Sequence, residues 1–134
     1  MKTPYHANIE HDTLENTAFR KVVYTSQFLQ VVLMTLLPGE DIGVEVHPNV
    51  DQFFRVESGT GTAHIDGKEY ELADGISVVV PAGVEHNLVN TGDTPMNLYT
   101  IYTPPNHIDG RLHQTKADAM ADVEDEEFGH GGAH

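Results

Sequence analysis

GISVVVPAGVEHNLVN, residues 75–90, is the stretch from which the fold can be predicted. Proline cannot donate a backbone hydrogen bond to a neighbouring strand, so Pro81 marks the end of one strand. Gly83 tolerates backbone angles that a residue with a Cβ resists, so we expect a bend directly after Pro81. His86 then begins a new strand, from which its imidazole is expected to point into a barrel.

A second stretch, residues 45–52, carries three more side chains that can ligate a metal. Glu45 and His47 are two residues apart, so on a strand they lie on the same face. Gln52 follows a turn signal and begins the next apolar run. These three side chains can meet His86 only if the sheet curls back on itself.

The two stretches resemble the paired sequence motifs of the cupin family, and the resemblance covers roughly residues 28–102. The second family motif is matched throughout, at Gly75, Pro81, Gly83, His86 and Asn90. The first motif is matched at Gly39, His47 and Gly59, whereas Glu45 stands in place of a histidine and Gln52 in place of a glutamate. Cupins bind one divalent metal at these positions. The resemblance therefore implies Glu45, His47, Gln52 and His86 as the metal ligands.

The resemblance implies an all-β protein with the cupin double-stranded β-helix, a jelly-roll barrel, and a homodimer. Short strands between turn signals, with Asp66-Gly67 as the strongest hairpin dipeptide, favour a barrel or jelly roll independently. We predict an N-terminal arm or edge strand over residues 1–27 and the barrel over 28–105. A C-terminal loop and acidic tail follow over 106–134, with a short helix or disorder at the end.

Residues 106–114, rich in ionisable side chains, are expected to form a loop that could cross one mouth of the barrel. The acidic run 122–127 has little to bury, and disorder is expected over 129–134.

The composition limits the classes of partner. At 134 residues without cysteine, the sequence predicts one domain with no disulfide and no thiolate metal site. The net charge of −14 argues against binding to nucleic acid or to anionic membranes, which leaves a small-molecule substrate. No signal-like or membrane-spanning segment is evident, so a cytoplasmic location is expected.

The predicted ligand set combines two imidazoles, one carboxylate and one amide oxygen. An unpaired glutamate inside a barrel would be costly, and a divalent cation offsets that cost. Such donors suit Zn²⁺, Mn²⁺, Fe²⁺ or Ni²⁺, with zinc favoured. The alternative is a barrel without metal, in which Glu45 and Gln52 simply hydrogen-bond the two histidines.

The run Glu45-Val46-His47-Pro48-Asn49 is also similar to the metal motif of zinc-dependent mannose-6-phosphate isomerases, with the Glu and Gln roles exchanged. This similarity favours a metal enzyme with redox-neutral, isomerase- or lyase-type chemistry on a sugar- or keto-acid-like substrate. An Fe(II)- or Mn(II)-dependent dioxygenase is one alternative. A cupin that binds a small ligand without catalysis is the other.

The sequence does not identify a catalytic base. The candidates are His64, Tyr99, Asp109 and His113. The strand period favours His64 on the surface. By the same alternation, Phe54 and Val56 share the face of Gln52 and should line an apolar pocket wall, whereas Arg55 should point outward.

Overall fold

Two antiparallel sheets and three short helices make up residues 2–130, which the computed structural model describes. In chain order the elements are α1 (Ile9–Glu15), β1 (Arg20–Thr25), β2 (Gln30–Leu36), β3 (Asp51–Ser58), β4 (Gly61–Ile65), β5 (Lys68–Leu72), β6 (Ser77–Val80), β7 (His86–Asn90), β8 (Met96–Thr103), β9 (Leu112–His113), α2 (Lys116–Ala121) and α3 (Val123–His130).

The strand order shows that strands distant in the sequence pair with each other. One sheet runs β6-β3-β8-β2-β1-β9 and the other runs β5-β4-β7. In the larger sheet β3 and β2 both pair with β8, and in the smaller sheet β4 pairs with β7. The chain thus returns repeatedly to the same two layers, and the predicted all-β jelly-roll architecture is confirmed.

Alternating apolar residues from both sheets fill the space between the layers. Val32, Met34 and Leu36 of β2 are at most 1% exposed, and Leu98 of β8 and Leu88 of β7 are fully buried. This period of two is what places one face of each strand in a core. The same alternation turns Gln52 and His86 inward among apolar neighbours, at 2% exposure each.

The hairpin of β4 and β5 follows the turn that its sequence predicts. Asp66 and Gly67 have φ angles of 52° and 77°, as a two-residue hairpin turn with both residues left-handed requires. At the other end of β4, a Cβ on Gly61 would lie 2.3 Å from the carbonyl oxygen of Val89. Only glycine lets the two strands approach this closely.

The N-terminal region differs from the predicted arm or edge strand. It forms helix α1, where the Asn8 side chain caps the helix by accepting a hydrogen bond from His11 N. Asn97 of β8 donates to the carbonyl oxygens of Thr13 and Asn16 and so fastens the helix to the sheet. Strand β1 pairs with both β2 and β9, so it lies inside the sheet.

The C-terminal region contains the predicted short helix, in two parts. Helix α2 begins with a capping box between Thr115 and Asp118, and α3 follows directly. The prediction that the acidic run has little to bury is wrong at Asp125, which is 3% exposed because it binds His107. Disorder was expected over residues 129–134; residues 129 and 130 belong to α3, and 131–134 lie outside the described residues.

Within residues 2–130, the helices are all too short to cross a membrane.

Candidate metal centre

A single β-bridge holds Glu45 beside His86. Glu45 N donates to His86 O at 2.9 Å, and His86 N donates to Glu45 O at 3.0 Å. The strand expected around residues 44–47 is reduced to this bridge, because Gly43 is left-handed at φ 93° and Pro48 has no N–H to donate. The bridge nevertheless holds Glu45 opposite His86, which is the first residue of β7.

The side chains of Glu45, His47 and His86 converge. Each offers a ligating atom, and these three atoms lie within 4.8 Å of one another. The two imidazole rings are 5.4 Å apart between centroids, and His47 Nε2 lies 2.6 Å from Glu45 Oε2. The structure therefore brings together three of the four predicted ligands around one small space.

Gln52, the fourth predicted ligand, is buried on the inner face of β3. Its Nε2 donates to Thr100 Oγ1 at 2.9 Å, which orients the amide, and its Oε1 accepts no hydrogen bond. A buried carbonyl oxygen without a donor costs about 1–3 kcal/mol, so it calls for a further partner. A metal ion would be such a partner for the amide oxygen.

His86 leaves the same kind of bare lone pair. His86 Nδ1 lies 3.0 Å from the Val84 carbonyl oxygen, so this nitrogen carries the proton and Nε2 is the free acceptor, buried without a hydrogen bond. His47 Nε2 instead lies 2.6 Å from Glu45 Oε2, so these two residues already contact each other beside His86. The residues present fit a divalent cation by their donor chemistry.

The protonation states also suit a metal. Burial would raise the pKa of Glu45, but contact with His47 and the charge of Arg20 hold the pKa of that carboxyl below its usual range. Burial lowers the pKa of His86, so its imidazole is neutral at pH 7. An ionised carboxylate and a neutral imidazole are the forms in which these two groups coordinate metal.

The alternative without metal, in which Glu45 and Gln52 hydrogen-bond the histidines, is matched only by the contact between Glu45 and His47. The Gln52 amide nitrogen bonds Thr100 instead. His86 Nε2 is left without a hydrogen bond.

A cavity of about 410 Å³ opens beside Glu45 and His47. One side is the barrel, with Arg20 on the wall, and the other side is the C-terminal segment, including His107 and Asp125. The region after residue 105 therefore forms the side of the cavity that faces the barrel. Glu45 keeps 29% of its side chain exposed toward this space, so the centre can be reached by a small molecule.

A buried chain of hydrogen bonds joins the C-terminal segment to the barrel. Tyr102 Oη lies 3.1 Å from His107 Nε2, and His107 Nδ1 lies 2.7 Å from Asp125 Oδ2. Burial lowers the pKa of His107 to about 4, despite the carboxylate of Asp125. Neutral His107 then donates from Nδ1 to Asp125 and accepts from Tyr102, whose pKa burial raises.

None of the four residues considered as a catalytic base is among those lining the cavity. His64 is on the surface, as predicted, with 46% of its side chain exposed. His113 is buried but bonded to Asp122 at 2.9 Å. Asp109 is exposed, and the ring of Tyr99 stacks near that of Phe53 on the other face of the sheet.

Phe54 and Val56 point inward, as the alternation predicts, and belong to the core between the sheets rather than to the cavity lining. The Phe54 ring nevertheless packs beside His86, with 6.1 Å between the ring centroids. Arg55 points outward, as predicted, and pairs with Glu57.

Arg20, His107 and Asp125, which line the cavity, were not identified from the sequence. The only signal was the cluster of ionisable residues in 106–114, a loop expected to cross a barrel mouth.

Comparison with known proteins agrees with this fold. The family model for the Cupin domain matches residues 32–102, and the chain belongs to the cupin family. An uncharacterized protein of Bacillus subtilis, YrkC, is 48% identical over 124 residues, which are 88% of this chain and 67% of YrkC.

Two solved structures are informative. The crystal structure of BH2720 from Bacillus halodurans is 46% identical with a TM-score of 0.87, over 89% of this chain and 95% of BH2720. A sugar phosphate isomerase from a cupin superfamily, of Silicibacter pomeroyi, is 27% identical with a TM-score of 0.54, over 59% of this chain and 52% of that one.

Proposed function

We propose that this cupin holds one divalent metal ion on Glu45, His47, Gln52 and His86. We further propose that it carries out redox-neutral, isomerase- or lyase-type chemistry on a small oxygenated molecule. The observation that carries the proposal is the convergence of the ligating atoms of Glu45, His47 and His86, together with two buried acceptors that no donor satisfies, His86 Nε2 and Gln52 Oε1.

The donor set suggests the kind of chemistry. Four protein ligands leave one or two positions open on a five- or six-coordinate ion, and an ion bound there would polarise a carbonyl or hydroxyl oxygen of the substrate. The residues of the chain fix the donors in place: Val84 orients His86, Thr100 orients Gln52, and the bridge to His86 holds Glu45.

The cavity adds the means to enclose a substrate. Its volume of about 410 Å³ suits a molecule of sugar or keto-acid size, and helices α2 and α3 form the wall opposite the barrel. The similarity to a sugar phosphate isomerase supports the redox-neutral class. Zinc is the favoured ion because the set contains only nitrogen and oxygen donors and needs no redox change.

The test measures proton exchange in D₂O. Metal-stripped protein is reloaded separately with Zn²⁺, Mn²⁺, Fe²⁺ or Ni²⁺ and incubated with a panel of aldoses, ketoses, their phosphates and 2-keto acids. We expect a metal-dependent incorporation of deuterium next to a carbonyl of at least one substrate, detected by proton NMR. His86→Ala should abolish it, and His64→Ala, which changes an exposed histidine, should not.

The same preparations separate the alternatives. Oxygen consumption by the Fe²⁺ form with diketones or catechols, without deuterium exchange, would replace the proposal with a dioxygenase. Ligand binding by calorimetry with neither exchange nor oxygen uptake would indicate a binding protein.

A further inference from the structure

Arg20 is a buried arginine whose charge has no direct counter-ion. It is the first residue of β1, is 8% exposed, and lines the cavity beside the metal centre. Its Nη1 lies 3.5 Å from His113 Nδ1, and its Nε has no hydrogen-bond partner. Among the ion pairs found within residues 2–130, none includes Arg20.

Burying a guanidinium in this way is costly unless something pairs with it. Its positive charge lowers the pKa values of Glu45 and Asp125, so both carboxylates interact with it electrostatically although neither forms an ion pair with it. Asp125 is already bonded to His107 and to Ile108 N. Neither carboxylate therefore satisfies the donors of Arg20.

The charges around the cavity leave room for an anion. Lys116, the other cation on the wall, is paired with Asp41. Asp125 balances the charge of Arg20 without bonding it, so a divalent ion on Glu45 would leave one net positive charge among these four groups. Glu126 also lines the cavity, but it is exposed, and solvent screens its charge.

We propose that Arg20 binds an anionic group of the substrate, a carboxylate or a phosphate, on the cavity wall beside the metal centre. The role as a substrate subsite rests on the proposed function and narrows its substrate class to anions. The planar guanidinium presents its N–H donors in a fork that matches a carboxylate or phosphate, and an anion seated against it would supply the acceptor that the buried Nε lacks. The carbonyl or hydroxyl of the same molecule would then face Glu45 and His47.

The test measures anion binding by calorimetry in metal-free and zinc-loaded protein. The probes are inorganic phosphate, pyruvate and, as an uncharged control, hydroxyacetone. We expect at least one anion to bind the metal-free wild type and to shift the Nε–Hε NMR signal of Arg20. Binding of phosphate alone points to phosphate esters, and binding of pyruvate alone points to keto acids.

Three variants make the test specific. Arg20→Met should weaken anion binding at least about tenfold, since charge-assisted hydrogen bonds are lost. Arg20→Lys keeps the positive charge but not the forked donor geometry, so its anion affinity should lie between those of wild type and Arg20→Met. Arg55→Met removes the same charge from an exposed arginine outside the cavity and should bind like wild type. Equal binding by Arg20→Met and wild type, or equal losses in Arg20→Met and Arg55→Met, would overturn the proposal.

Stability and metal content distinguish an arginine that binds a ligand from one that supports the fold. If Arg20 serves to bind a ligand, its buried charge does not stabilise the ligand-free protein. Arg20→Met should then unfold, as followed by circular dichroism, at no lower temperature than wild type. An Arg20→Met variant that fails to fold would show a structural role and would contradict the proposal, unless Arg20→Lys folds and shows the intermediate affinity. Bound zinc should persist in Arg20→Met and disappear in His86→Ala. Absence of zinc from all forms, wild type included, would refute the proposed metal centre but not anion binding by Arg20.

Discussion

At the scale of single residues, the second hydrogen bond of each ligand prepares the centre. The Val84 carbonyl fixes the tautomer of His86, and Thr100 fixes the rotation of the Gln52 amide. Each partner leaves its ligand's other polar atom, His86 Nε2 or Gln52 Oε1, buried without a hydrogen bond. Such partners orient ligands before a metal arrives, so loss of either one should weaken metal affinity by about 10–100-fold.

His107 provides a prediction about pH. Its pKa is lowered from 6.5 to about 4 in the folded chain, so between these values the unfolded chain binds more protons. The contribution of neutral His107 to the unfolding free energy should therefore be fully present above pH 6.5 and should decrease as the pH drops toward 4. The pKa of His86 is lowered in the same direction, and the lowered pKa of Asp125 acts only below 3.8.

Urea unfolding of wild type and His107→Gln at about pH 7 and pH 5 tests this. The contribution of His107 to the unfolding free energy should decrease by about 2 kcal/mol over this range, at about 1.36 kcal/mol per pH unit below 6.5. His107→Gln should lose correspondingly less between the two pH values. Identical losses in the two proteins would show that His107 is not buried as a neutral imidazole.

The predicted metal ligands and the residues that sequence reasoning missed differ in how they are encoded. Glu45, His47, Gln52 and His86 stand at fixed positions in two motifs, so a resemblance finds them. Arg20 enters the cavity only because β1 pairs between β2 and β9. That pairing joins segments distant in the sequence, and the local sequence around Arg20 does not predict it.

At the scale of elements, helix α3 depends on one carboxylate. Asp125 accepts hydrogen bonds from Ile108 N at 2.7 Å and from neutral His107, so it fastens the helix to the barrel mouth. The hydrophobic pattern of α3 is weak, and five of its eight residues are charged or histidine. This is why the sequence suggested a tail with little to bury, although a tertiary partner buries Asp125.

Asp125→Ala should therefore release the C-terminal helices. It leaves two buried donors, on His107 and on Ile108, without an acceptor, and should cost about 2–4 kcal/mol of unfolding free energy. Amide hydrogen exchange should accelerate in α2 and α3 more than in the β2–β8 core. The control is Glu127→Ala, an exposed neighbour. Unchanged exchange in Asp125→Ala would mean that the other contacts of α3, such as the ion pair between Glu124 and Arg111, are enough to hold it.

Strands with regular alternation and strong turn residues could be predicted, and the irregular segments could not. The hairpin at Asp66-Gly67 has the expected turn because two left-handed residues are required there. Helix α1 has only seven residues and depends on its Asn8 cap and on Asn97 of β8. Residues 44–47 look like a strand but form one bridge, since Gly43 and Pro48 interrupt pairing.

At the scale of the whole molecule, the net charge of −14 opposes compactness. Salt screens such repulsion, so about 0.5 M NaCl should raise the midpoint of thermal unfolding relative to about 0.02 M. Circular dichroism measures this midpoint. The buffer should contain no phosphate, because phosphate is a proposed ligand of Arg20 and would itself change the stability. A midpoint that falls with salt would show that favourable ion pairs such as Arg111–Asp122 outweigh the repulsion.

The homodimer implied by the cupin resemblance stays a prediction. Sedimentation velocity should show one species at twice the 14.8 kDa of the chain, with a concentration-independent coefficient in the micromolar range. A single species at the mass of one chain would contradict it. The metal centre does not depend on the outcome, since its four proposed ligands belong to one chain.

The most direct test of the metal centre is calorimetric titration of metal-stripped protein with Zn²⁺ and, separately, Mn²⁺. We expect one ion per chain for wild type and for His64→Ala, and an affinity lower by at least about two orders of magnitude for His47→Ala and His86→Ala. Absence of binding to wild type, or binding that neither His47→Ala nor His86→Ala weakens, would contradict the proposed centre.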